Sequence, residues 1–149
     1  MEFGKINQEI FKKFECKIGN VNGIDKMILC DTNIFISAFN KRMEAIAKMQ
    51  EIGFENIVIS SITAMELYRG MNNKSELNQM KKHLKYYDFI HISKEISEKA
   101  VELIHSFHLS HNLQIPDAII GATAIIYKIP LFTYNTKDFI FMPKLDLYK

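Results

Sequence analysis

The sequence has 149 residues, 48% of them hydrophobic and 24% charged, which suits one globular domain and excludes a disordered chain or a pair of full-sized domains. Its formal charge of +2 permits an anionic partner without demanding one, because phosphate binding depends on where charges cluster. No apolar stretch approaches the roughly 20 residues of a membrane-crossing helix, and the charged opening MEFGKINQEIFKKFE is unlike a secretion signal, so a cytoplasmic protein with no membrane partner is expected.

The opening segment carries Phe3, Ile6, Ile10 and Phe14 at helical spacing, and the turn-rich Gly19 to Gly23 separates it from the rest. Met27-Ile28-Leu29-Cys30 is an apolar run too short for a helix and ends at Asp31, as a buried parallel strand does. Asp31-Thr32-Asn33 offers cap-type side chains for a helix through Phe39, and a second periodic stretch runs from Met43 to Ile52 before Gly53. Asn56 to Ser60 is the second strand; Ser61 to Arg69 is a helix that Gly70 can terminate. Leu77, Met80, Leu84 and Tyr87 form one stripe of an amphipathic helix starting near Lys74. Then come a strand at Phe89 to Ile92, helices at Glu95 to His108 and Asp117 to Tyr127, a strand at Leu131 to Thr133 after Pro130, and a last short strand near Phe139 to Met142. Strand–helix alternation predicts an α/β class: a mainly parallel central sheet of four to five strands with helices on both faces.

In such a sheet ligands bind beyond the carboxyl ends of the strands. Four acids follow candidate strands: Asp31, Glu66, Asp117 and Asp138. Each has a plain structural reading taken alone. Asp31 suits a helix N-cap, Asp117 after Pro116 suits a first helical turn, Glu66 suits an exposed helix face and Asp138 suits a turn. Together they could converge on one sheet edge, where each like-charge pair 5 Å apart costs about 3 kcal/mol at an effective dielectric near 20. Such a cluster takes up protons or holds a cation, and carboxylates without Cys or His suit one or two Mg²⁺ or Mn²⁺ ions. Metal-assisted phosphodiester hydrolysis follows from that chemistry.

The stretches Ile28-Leu29-Cys30-Asp31-Thr32-Asn33, Met65-Glu66-Leu67, Pro116-Asp117-Ala118-Ile119-Ile120-Gly121-Ala122-Thr123-Ala124 and Thr133-Tyr134-Asn135-Thr136-Lys137-Asp138-Phe139 together resemble PIN-domain nucleases, especially VapC-like ribonuclease toxins of toxin–antitoxin pairs. The resemblance covers residues 27–149 and leaves 1–26 as an N-terminal helical extension. It implies a three-layer α/β/α fold, Mg²⁺- or Mn²⁺-dependent endonucleolytic cutting of RNA, and a cognate antitoxin; a homodimer is a further expectation. Carried over by position, Asp31, Glu66, Asp117 and Asp138 are the catalytic, metal-binding acids. Asp31 and Asp117 look like direct ligands, and Glu66 and Asp138 bind through water, hold a second ion or orient the nucleophile. Asn33 and Thr133, with Thr32 and Asn135 after them, are expected to hydrogen-bond to those acids.

Arg69, Lys74, Lys81, Lys82 and Lys85, with Tyr68, Tyr86 and Tyr87, are candidates for an RNA groove, against the plain reading of a solvated helix face. Gly121, Ala122 and Ala124 make a slender helix face that suits close packing. His105, His108 and His111 lack a third ligand at zinc spacing, and Cys16 and Cys30 read as reduced core thiols. A stand-alone RNA-processing nuclease and a non-catalytic RNA- or protein-binding module are the alternatives on the same fold. A phosphotransfer receiver is disfavoured because no acid pair adjoins the first strand.

Overall fold

β1 (Ile28–Cys30) lies at the centre of the computed structural model, which describes residues 26–149. It pairs in parallel with β2 (Ile57–Ser60), bringing Leu29 opposite Val58, and with β4 (Leu131–Phe132), bringing Cys30 opposite Phe132. β3 (Asp88–Ile90) pairs in parallel with β2. The order is therefore β3-β2-β1-β4. The chain leaves β1 toward β2 and β3 and returns on the other side as β4, so the strand order reverses between β1 and β4. That reversal opens a crevice at the carboxyl ends of these two strands.

Side chains alternate along the strands and divide the core into two layers. Leu29, Val58, Ile90 and Leu131 face one helical layer, α5 (Lys94–His111) and α6 (Ile115–Tyr127). Ile28, Cys30, Ile57, Ile59 and Phe132 face the other, formed by α1 (Thr32–Phe39), α2 (Met43–Ile52), α3 (Ser61–Arg69) and α4 (Lys74–Leu84). The three-layer α/β/α expectation holds. The expected helix of the opening segment, together with Cys16, lies outside the described residues. No helix among the described residues is long and apolar enough to cross a membrane.

Several boundaries differ from expectation for identifiable reasons. Phe139 to Met142 form no strand: they are turns whose buried Phe139 and Met142 plug the α5–α6 core, and the neighbour of β4 is an isolated parallel bridge from Leu131 to Leu147. The sheet has four strands among the described residues. β3 begins at Asp88 and ends at Ile90 because its partners on β2 run only from Val58 to Ser60. α5 continues to His111, stopping where Asn112 takes a left-handed conformation at φ 51°. Gly70 does end α3, but at φ −77°, so no left-handed turn is involved. On α4, Met80 and Leu84 are buried as expected, whereas Leu77 is 38% exposed.

Candidate functional site

Asp31 is the first residue past β1 and the N-cap of α1. Its amide donates to the Phe132 carbonyl at 2.9 Å, locking it to β4 at the point of strand reversal. The residue is only 5% exposed. Its Oδ1 accepts from the Thr32 amide at 2.7 Å, while Oδ2 accepts from Thr133 Oγ1 at 2.7 Å and from Asn33 Nδ2 at 3.3 Å. The plain reading of Asp31 as a cap is thus correct and incomplete, because a cap alone needs no buried oxygen held from β4.

Thr133 and Asn33 are tied to each other as well. Asn33 Nδ2 donates to Thr133 Oγ1 at 3.2 Å, and the Asn135 amide donates to the same hydroxyl at 3.0 Å. Asn33 Oδ1 accepts from the Tyr134 amide at 3.2 Å. The α1 N-terminus and the loop after β4 are therefore bound together across about one hundred residues of sequence. Tyr134 is the member of this set that sequence reasoning passed over; its place between Thr133 and Asn135 was the available signal.

Glu66 arrives from α3, half-buried, and accepts from Thr32 Oγ1 at 2.9 Å. Asp117 lies in the first turn of α6, which Pro116 pre-organises. Asp138 sits in a 3₁₀ turn (Thr136–Asp138) anchored by the buried Phe139. Gly121, one turn along α6 from Asp117, lets Phe139 and Met142 pack onto the helix; a Cβ there would overlap the Met142 sulfur. That close approach brings the Asp138 turn beside the Asp117 turn.

The electrostatics report this convergence. Burial raises Asp117 to about 7, and Asp31, Asp138 and Glu66 each add to the rise. Asp31 is also raised, by burial first and by Asp138 last, against the lowering effect of its bonds from Thr133 and Thr32. Glu66 is raised by burial and by Asp31, opposed by the Thr32 hydroxyl and by the Arg69 charge. The four acids thus share one electrostatic neighbourhood, in which burial and mutual repulsion oppose their ionisation.

Such a donor set, all oxygen and short of positive charge, fits a hard divalent cation. Among the described residues no group of three or more His, Cys, Asp or Glu side chains stands close enough together to hold a metal ion. Carboxylate oxygens in ones and twos suit only an ion that keeps most of its water shell, as Mg²⁺ does.

The basic candidates are placed differently. Arg69 is exposed at the end of α3 and acts on Glu66. Lys81, Lys82 and Lys85 lie at or beyond the end of α4 that leads into the amino end of β3, whereas Asp31 follows a carboxyl end; Lys74 opens α4. All four lysines are exposed. Tyr86 is open to solvent, but Tyr87 is buried edge-on to Phe35 at 5.1 Å and has no face for a base. His111 stacks on Phe141 at 4.1 Å. Cys30 is a buried free thiol, pushed up by desolvation and by Asp31.

Comparison with known proteins follows the same lines. The family model for the PIN domain matches residues 28–144. Ribonuclease VapC1 of Methanocaldococcus jannaschii is 30% identical over 133 residues, 88% of this chain and 90% of that protein. Among solved structures, a toxin–antitoxin complex from Klebsiella pneumoniae aligns at 36% identity and a TM-score of 0.68, covering 79% of this chain and 94% of that one. VapBC2 from Rickettsia felis, bound to a DNA fragment from its promoter, aligns at 28% identity and a TM-score of 0.69, covering 82% and 97%. With the four-stranded parallel sheet and the acids at its switch point, these matches establish that the chain belongs to the PIN domain family.

Proposed function

We propose that this chain is a metal-dependent endoribonuclease, the toxin of a toxin–antitoxin pair, with Asp31, Glu66, Asp117 and Asp138 as its catalytic acids. The observation that carries this reading is the buried Asp31 at the switch point, held by Thr133 and joined through Thr32 to Glu66, with Asp117 and Asp138 in the same electrostatic neighbourhood. Carboxylates that oppose one another's ionisation are suited to a divalent metal, which in turn can meet a phosphate. The likeness to a protein named a ribonuclease and to toxin–antitoxin complexes supports RNA as substrate and an antitoxin as partner. A homodimer, and the division of the chain into an extension (1–26) and a nuclease domain (27–149), belong to the same proposal.

Asp31 and Asp117 would hold Mg²⁺ or Mn²⁺ directly, with Glu66 and Asp138 acting through water or on a second ion. The bound metal supplies an attacking water of lowered pKa and a counter-charge for the phosphate. Thr133 and Asn33 hold the Asp31 carboxylate in one orientation, so that it needs no reordering when phosphate arrives. Glu66 has Oε1 committed to Thr32, leaving Oε2 to take a proton from the attacking water. Attack by water, and not by the ribose 2′-hydroxyl, breaks the P–O3′ bond and leaves 5′-phosphate and 3′-hydroxyl ends. Arg69, beside Glu66, would meet phosphates next to the cut. Lys74, Lys81, Lys82 and Lys85 would meet only more distant parts of a long RNA.

Mapping RNA 5′ ends in cells that express the parent or the Asp31→Asn variant tests this reading. Discrete new ends with the parent that vanish with the variant are expected. Identical maps would reject it.

A further inference from the structure

Tyr134 follows the threonine that grips Asp31, and only its backbone takes part in the bonds that close the loop there. Thr133 is committed to Asp31, and the loop is closed by the bonds from the Tyr134 amide to Asn33 and from the Asn135 amide to Thr133, all independent of the Tyr134 side chain. The ring meets Phe132 edge-on, with centroids 5.7 Å apart and planes at 78°, and remains 49% exposed. Phe132 is itself held in the core and against Tyr148 at 5.5 Å. A large aromatic side chain is thus held on a rigid loop, half open to water, one residue from a threonine that grips Asp31. Single-stranded RNA is bound in this manner, by unpaired bases laid against aromatic rings, with little dependence on base identity.

We infer that Tyr134 forms a nucleobase-stacking subsite that seats a base flanking the scissile phosphate. The inference rests on the proposed ribonuclease activity and adds to it the element that selects unpaired RNA. A duplex keeps its bases stacked on one another and cannot offer one to the ring. The hydroxyl is not required, so phenylalanine should serve as well as tyrosine.

The experiment uses the full chain with Mn²⁺ and a single-stranded oligonucleotide spanning a cut mapped in cells, with an abasic ribose placed in turn at each position. For the parent, one position next to the cut should lose about 5- to 150-fold in kcat/KM, the range of base–aromatic stacking. Tyr134→Ala should lose a similar factor on the intact oligonucleotide and become insensitive to the abasic position, while Tyr134→Phe keeps the parental profile. Melting curves within about 2 °C of the parent would show that the alanine variant is folded; a lower melting point is met by the phenylalanine variant, whose loss of the abasic response would equally overturn the inference. Parental cleavage with Tyr134→Ala within twofold, or an abasic penalty that survives in Tyr134→Ala, overturns the stacking subsite and leaves the nuclease standing. Absence of parental cleavage overturns both.

Discussion

Replacing Asp117 by asparagine should stabilise the metal-free protein, and should do so only above mildly acidic pH. The carboxyl's folded pKa is raised from 3.8 to about 7, so its ionised form is disfavoured in the folded state. The stability it contributes is fully present below about pH 4 and is lost as pH rises through 7. A shift of about three units corresponds to about 4 kcal/mol at full value, and solvent screening of this half-open group reduces it to about 1–2 kcal/mol. Asparagine keeps the shape and removes the charge. For a domain of this size the gain is about 3–6 °C in melting temperature at pH 8 and close to zero at pH 4.5. Calorimetric melts of parent and Asp117→Asn in EDTA at both pH values measure it. Equal effects at the two pH values, or a loss of stability at pH 8, would refute the claim that Asp117 pays an electrostatic penalty beside the other acids.

Thr133→Val removes the shortest side-chain bond to Asp31, so activity should fall about 10- to 100-fold. Because that bond lowers the Asp31 pKa, the acidic limb of the pH–rate profile should move to higher pH; an unmoved limb would argue against the role given to Thr133. Asp31→Asn should abolish cleavage while circular dichroism stays parental, since an asparagine oxygen can still accept from the Thr32 amide. Gly121→Ala forces the buried Met142 aside and should cost about 1–3 kcal/mol, or roughly 3–10 °C, measured by thermal unfolding.

Much of the architecture was legible because its signals are local. The helix expected from Ser61 to Arg69 has those bounds, with Ser60 capping it by accepting from the Ile62 amide and Gly70 following its end. Asp31 and Asp138 were identifiable because each lies beyond an apolar strand, and Glu66 because it is on the helix that follows one; Asp117 departs from that expectation, since it follows the helix α5 and reaches the others only through the packing of α6. What escaped depends on distant partners. The length of β3 is set by β2, and Tyr87 is buried by Phe35, neither of which periodicity can reveal. Phe139 and Met142 looked like a strand because their burial comes from packing on Gly121 of α6, not from a neighbouring strand. The link from Tyr134 to Asn33 spans 101 positions and exists only through the β1–β4 pairing.

On the proposed reading Asp31, Glu66, Asp117 and Asp138 tolerate one another because a divalent ion joins them. Calorimetric titration of Mn²⁺ into the parent and into Asp31→Asn/Asp117→Asn at pH 6.5, in two buffers of different ionisation enthalpy, tests it most directly. Saturable binding by the parent with release of protons is expected, because Asp117, raised to about 7, would give up its proton to the ion, and no such binding by the double variant. Equal titrations of the two proteins, or parental binding without proton release, would contradict it.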